Sequence, residues 1–140
     1  MRANLIHTFS RSAVLCAALI AVAFSSTRAF DGPDSSPERE KELLAILQSE
    51  APAAEKAIAC KGLAIHGSDA AVPDLAKLLP NPQLSSWSRI ALEAIPGDAS
   101  NEALRTAANS LEGRLLVGMI NSLGVRQDVK SVDLLTAKLQ

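Results

Sequence analysis

Few residues of this chain are of the kinds that carry out chemistry. After the first 29 residues there is one histidine, His66, and one cysteine, Cys60, both in the run AIACKGLAIHG. A metal centre gathers His, Cys, Asp and Glu into a cluster, and only Cys60 stands near His66 in sequence, so no metal site is expected. A lone thiol forms no intrachain disulfide. In an Ala/Ile run it reads as a small, buried, unreactive hydrophobe. His66 falls at the end of a predicted helix, where an imidazole suits the negative end of the macrodipole. No CxxCH motif offers attachment to haem. The serines are scattered and none sits in a nucleophile turn, and Gly113 and Gly118 belong to no phosphate-binding loop. The chain is therefore expected to have no catalytic activity of its own and no cofactor.

What remains is polar side chains able to meet a partner. Arg89 and Glu93 lie one helical turn apart. They read either as an intrahelical ion pair of about 0.2–0.5 kcal/mol or as part of a binding ridge. In the next apolar helix, Val117 and Asn121 fall level with Arg89 and Glu93, and Arg114 and Arg126 flank them. Arg89, Glu93, Arg114, Asn121 and Arg126 are thus the candidate protein-binding residues, with ordinary solvated surface as the alternative reading. Trp87 is expected on the inward side of its helix, filling core; exposed, it would be a contact hot spot.

Composition narrows the elements that could position these residues. Of 140 residues, 48% are apolar, yet there are only three Phe, one Trp and no Tyr. Alanine and leucine supply the apolar surface, which favours helices over strands. Residues 1–29 read as a signal peptide. Arg2 and Arg11 precede or open an uncharged, mostly apolar run, Ser12–Phe24, and Thr27-Arg28-Ala29 places small residues at a cleavage site. A membrane span needs about 20 apolar residues, so stable membrane insertion after cleavage is not expected. The protein should be exported, to the periplasm or beyond. All 15 acidic residues but only 11 of the 14 basic ones follow Ala29, an excess of four acidic charges. No basic stripe survives to bind nucleic acid.

Residues 30–36 (FDGPDSS) read as a disordered lead-in, and helices follow over 37–140. Ser36-Pro37 starts the first, with Leu43, Leu44 and Leu47 on its apolar stripe. The second, Ala53 to His66, is apolar nearly all round and closes at Gly67, where a left-handed residue is expected. Ser68 or Asp69 caps a third, about Ala70 to Leu79. The fourth is Leu84–Ile95, with Leu84, Trp87, Ile90, Ala91 and Ala94 inward and Ser85, Ser88, Arg89 and Glu93 opposite. Ser100 caps the fifth, Asn101 to about Ser110. The sixth, Gly113–Leu123, closes at Gly124. Asp128 caps a seventh, Val129–Leu139, with Val132, Leu135 and Leu139 inward.

Aligning the closures at Gly67, Pro96 and Gly124 makes Leu75, Leu104 and Val132 equivalent inward positions. A period of 20–50 residues with one helix pair per period marks a helical solenoid. The segments SRIALEAIPGDASNEALRTA and GRLLVGMINSLGVRQDVKSVDLL resemble the short HEAT repeats of exported bacterial proteins. The resemblance spans about Glu38–Gln140. It implies an all-α, right-handed α-solenoid of antiparallel helix hairpins, about seven helices after the signal peptide. It also implies use in protein contact, with the second helix of each pair lining a concave side, and it brings no catalytic motif. The expected function is an exported interaction scaffold whose partner the sequence does not name. The alternatives are the HEAT portion or subunit of a larger exported enzyme, or a lyase-type HEAT protein of the kind that attaches phycobilins; the leader argues against the last. The few copies and the absence of a recognisable C-terminal cap predict an apolar C-terminal end that either self-associates or belongs to a longer stack, the repeat domain being incomplete there.

Overall fold

A computed structural model describes residues 37–138. The expected signal peptide and lead-in, residues 1–36, lie outside the described residues, as does the inward position expected for Leu139. The described residues are all-α, with seven helices and no strand among them: α1 (Pro37–Gln48), α2 (Ala53–His66), α3 (Val72–Leu78), α4 (Ser85–Ala94), α5 (Asp98–Ser110), α6 (Gly113–Val125) and α7 (Val132–Lys138). Short 3-10 turns at Asp69–Ala71 and Val129–Ser131 lead into α3 and α7. None of the described helices is long and apolar enough to cross a membrane.

The helix contacts run in two series. α2 packs on α4 and α4 on α6, while α1 contacts α3 and α3 contacts α5; α1–α2, α3–α4 and α5–α6 join the series. With almost no aromatic residues available, the interior is built of leucine and alanine. Leu63, Leu75, Leu79, Leu92, Ile95, Leu104, Met119 and Leu123 are fully buried. Burying one such side chain stabilises by about 1.5–3 kcal/mol, and small residues such as Ala59, Ala91 and Ala108 let neighbouring helices approach closely.

Several sequence expectations are corrected here. α4 is rotated relative to its predicted orientation. Leu84, Ser85, Ser88, Ala91, Leu92 and Ile95 face inward, whereas Trp87 is 41% exposed and Ile90 and Ala94 are also exposed. The inward face tolerates Ser88 because its hydroxyl donates to the Leu75 carbonyl at 2.6 Å, so burial leaves that group satisfied. Gly67 is extended, at φ −76°, rather than left-handed. Its lack of a side chain matters for space: a Cβ there would stand 2.4 Å from the Leu63 carbonyl oxygen. Gly124 lies inside α6, which runs on to Val125, and the left-handed residue that follows is Gln127, at φ 53°. Ser100 does not cap α5; the helix begins two residues earlier, after Gly97 at φ 96°, and Ser100 is buried within it.

The longer α6 shifts the register of everything after it. Leu63, Leu92 and Leu123 are buried equivalents, and so are Ala71, Ser100 and Ser131. In that register the third member of the Leu75, Leu104 series is Leu135, which packs partly buried against the core. Val132 is 57% exposed and is not the equivalent position. Val125 and Val129 are exposed beside it.

Polar ties hold the turns to the odd-numbered helices. Glu40 on α1 accepts from the Ser68 amide at 2.7 Å and from its hydroxyl at 2.8 Å, while the same hydroxyl accepts from the Ala70 amide and so caps the 3-10 turn as expected. Arg105 on α5 binds Asp128 at 2.6 Å, so that carboxylate does not cap α7 through its side chain; it is drawn to the guanidinium instead. Lys130 donates to Asp98 at 2.8 Å, and the Asp98 carboxyl is held below the usual carboxylate range by that hydrogen bond, with the charges of Lys130 and Arg105 adding to it. The Asp74 carboxyl is lowered likewise, by hydrogen bonds from Lys77 and Gln48.

Two predictions follow from this packing. Leu104→Ala should cost about 2–5 kcal/mol through lost transfer energy and a cavity, while Val132→Ala should stay within about 0.5 kcal/mol; urea unfolding of the two variants distinguishes this register from one with both residues inward. The second concerns acid. A carboxyl whose folded pKa is lowered contributes stability above its unfolded value of about 3.9 and loses it as pH falls through the folded value. Asp98→Asn should therefore lower the thermal midpoint at pH 7 and flatten its decline below about pH 4. A variant whose acid limb matches the parent's would show that the Lys130 bond does not persist in solution.

Candidate functional site

The first turns of α4 and α6 border a cleft of about 790 Å³. Pro82, Ser85, Ser86 and Arg89 line it on the α4 side; Gly113, Arg114, Leu115, Val117, Gly118 and Asn121 line it on the other. Asn81 sets the entry to α4. Its side-chain oxygen accepts from the Gln83 and Leu84 amides at 2.9 and 3.3 Å, an Asx turn that directs the chain from Pro80-Asn81-Pro82 into the helix.

Arg89 bridges the two helices. Its Nη1 donates to the Gly118 carbonyl at 3.1 Å and to Ser122 Oγ at 2.9 Å, and the Ser122 hydroxyl donates to Glu93 Oε1 at 2.6 Å. Arg89 and Glu93 also pair along α4 at 3.7 Å. The expected intrahelical pair is thus present, but it works as part of a link between helices. Gly118 leaves room for the link: a Cβ at that position would stand 2.7 Å from Arg89 Nε, so the guanidinium would have to shift from its present place across α6.

The candidate residues divide into three groups. Arg89, Arg114 and Asn121 share the cleft. Arg114 and Asn121 are exposed, and neither makes a hydrogen bond or ion pair with the described residues. Glu93 adjoins the cleft through its bonds to Ser122 and Arg89. Arg126 is elsewhere, at the C-terminal end of α4. Its Nη1 donates to the carbonyls of Leu92, Glu93 and Ile95 at 2.7, 3.0 and 2.7 Å, its Nη2 to Gly97 at 2.6 Å and its Nε to Asn101. The last carbonyls of a helix have no intrahelical partner, and this one side chain takes up two of them, those of Leu92 and Glu93, together with two carbonyls just beyond the helix.

Trp87 is exposed on α4, contrary to the core role expected of it, and does not line the cleft. Sequence reasoning missed Ser85, which lines the cleft with a buried hydroxyl that has no hydrogen-bond partner. Its signal was the spacing of Ser85 and Ser88 with Leu84, Ala91 and Leu92, an inward stripe hidden by the polarity of serine.

Cys60 is fully buried, and burial pushes its thiol up to about 11, so it carries almost no thiolate at neutral pH. Among the described residues no three His, Cys, Asp or Glu side chains are grouped to hold a metal ion. Comparison of the chain with protein-family models, with curated proteins and with solved structures gives no match.

Lysine has one compact point charge where Arg126 has a planar fork with five donors, and cannot reach all these acceptors at once. Arg126→Lys should cost about 2 kcal/mol, against less than about 0.5 kcal/mol for Arg114→Lys at an exposed site. Denaturant unfolding checks the pair, and equal small losses would mean that water replaces the guanidinium at the end of α4 without penalty.

Proposed function

We propose that the chain is an exported, HEAT-type helical repeat module, a right-handed α-solenoid of antiparallel helix hairpins, that acts as a protein-interaction scaffold without catalytic activity. The observation that carries this reading is the exposed face of the α2–α4–α6 series. Ile58 and Ile65 on α2, Trp87 and Ile90 on α4, and Val117 on α6 are all large, apolar and exposed, on three helices in succession. Single exposed apolar residues are ordinary; their repetition along packed neighbours is the kind of surface that partners cover. The recurrence of buried leucines at Leu63, Leu92 and Leu123 supports the repeat, and the resemblance to HEAT segments supplies its type. The cleft between α4 and α6 adds Arg114 and Asn121, polar groups without a hydrogen bond or ion pair among the described residues. Exposed tryptophan and arginine are both residue types enriched at contact hot spots.

A second reading, self-association, is favoured by the exposure of Val125, Val129 and Val132 around the turn before α7. One experiment separates the two. A photo-crosslinking residue is placed at Val117, at Val129 or at the exposed Glu102 of α5. Position 117 should capture one protein repeatedly from an exported fraction, and Trp87→Ala should weaken that capture by about 2 kcal/mol while moving stability by less than about 0.5 kcal/mol. Capture of the chain itself from position 129 alone would favour self-association. Equal capture at 117 and 102 would overturn the scaffold reading.

A further inference from the structure

The cleft between α4 and α6 is biased toward negative charge in three independent ways. Its lining holds two arginines, Arg89 and Arg114, and no acidic residue, in a chain that is acidic overall. Glu93 offsets part of the Arg89 charge from outside the lining, at 3.7 Å, and Glu112 precedes α6 without joining the cleft wall. Arg114 has no such counterweight.

The second bias comes from the backbone. The first turns of α4 and α6 both border the cleft, and neither contains an acidic residue or a side-chain cap. Each of the other five helices has Asp or Glu in its first turn: Glu38 and Glu40, Glu55, Asp74, Asp98 and Asp133. A helix N-terminus favours an anion; Glu112 stands at the N-cap of α6, outside the cleft lining, and the start of α4 on the same space has no carboxylate at all. The third is Ser85. The residue is 3% exposed and its buried hydroxyl has no hydrogen-bond partner among the described residues, at a wall of this cleft. A buried hydroxyl without a partner costs free energy, and an acceptor entering the cleft would satisfy it.

Resting on the scaffold reading, we propose that this cleft receives a carboxylate from an acidic peptide segment of the partner protein. The apolar walls at Pro82, Leu115 and Val117 suit apolar residues flanking the acidic one. Two arginines, one already paired, match a carboxylate; nucleic acid calls for a basic stripe. Arg114 supplies the free charge-assisted donor, Ser85 a buried neutral donor, and Arg89 fixes the wall through Gly118.

The test uses the full chain and a fluorescein-labelled peptide, Leu-Glu-Val-Asp-Leu-Glu with an amidated end, beside its Gln/Asn counterpart. Fluorescence anisotropy should show the acidic peptide binding at least about 10-fold more tightly, as expected for charge-assisted contacts. Arg114→Gln should weaken it about 10-fold with an unchanged unfolding midpoint, since that side chain is exposed and has no partner among the described residues. Ser85→Ala should weaken it several-fold. Equal affinity of the two peptides, or no effect of Arg114→Gln, would overturn the proposal. Tighter binding of inorganic phosphate than of the acidic peptide would assign the cleft to a phosphate group instead and overturn it equally. If the peptide fails to bind while the Val117 crosslink persists, the carboxylate site falls and the scaffold stands; if the crosslink is lost while the peptide still binds, the scaffold falls and the anion site stands.

Discussion

The end of α4 depends on a single guanidinium. Four backbone carbonyls, those of Leu92, Glu93, Ile95 and Gly97, turn toward Arg126, and the Asn101 side chain of α5 accepts from its Nε. Arginine alone among the side chains offers five donors in a rigid plane. Because Arg126 directly follows α6, satisfying those carbonyls also fixes where α6 ends relative to α4 and where α5 begins. Midway along the same helix pair, Arg89 repeats the device across Gly118 and Ser122. No comparable tie joins the first turns of α4 and α6, and there the cleft opens. The position of the open end follows from where the two arginines close the rest.

Polar contacts do the registering in this molecule because the core cannot. A core of leucine and alanine contains few shapes distinctive enough to forbid a neighbouring alternative. The bonds between Glu40 and Ser68, Arg105 and Asp128, and Lys130 and Asp98 each join a turn to a helix distant in sequence, and each needs particular atoms in particular places. An exposed pair such as Lys130–Asp98 contributes little energy, while Arg105–Asp128 is mostly shielded from solvent. Their value here is specificity, in selecting one packing of similar helices over others of nearly equal burial.

The same fact sets the limit of what the sequence discloses. Seven helices, their approximate bounds, the burial of Cys60 and the neighbourhood of Arg89, Arg114 and Asn121 follow from local patterns of apolar spacing. The rotation of α4 does not. Its sequence supports two inward stripes, one through Trp87 and Ile90, the other through Ser88 and Leu92, and the choice between them is made by the Leu75 carbonyl, which a local reading does not reach. The end of α6 is similar. Gly124 looks like a terminator, yet the helix continues to Val125 and leaves the left-handed turn to Gln127, because Arg126 must arrive at the carbonyls of α4. Asp128 looks like a cap and is held by Arg105. In each case a long-range polar partner outweighs a local preference worth about 1 kcal/mol.

Gly118 carries a historical consequence as well as a mechanical one. Its backbone is ordinary helix, so its own conformation would accept any small residue; what a new side chain would meet is the end of Arg89, which would have to move and give up its present bonds to α6. The two positions are therefore coupled. A lineage that first shortens residue 89 can enlarge residue 118 without disturbing anything, whereas one that enlarges residue 118 first must re-seat the arginine. Divergent copies of this chain would be sorted by which of the two changed first, and those retaining both would mark the branch in which the bridge between α4 and α6 has been kept intact.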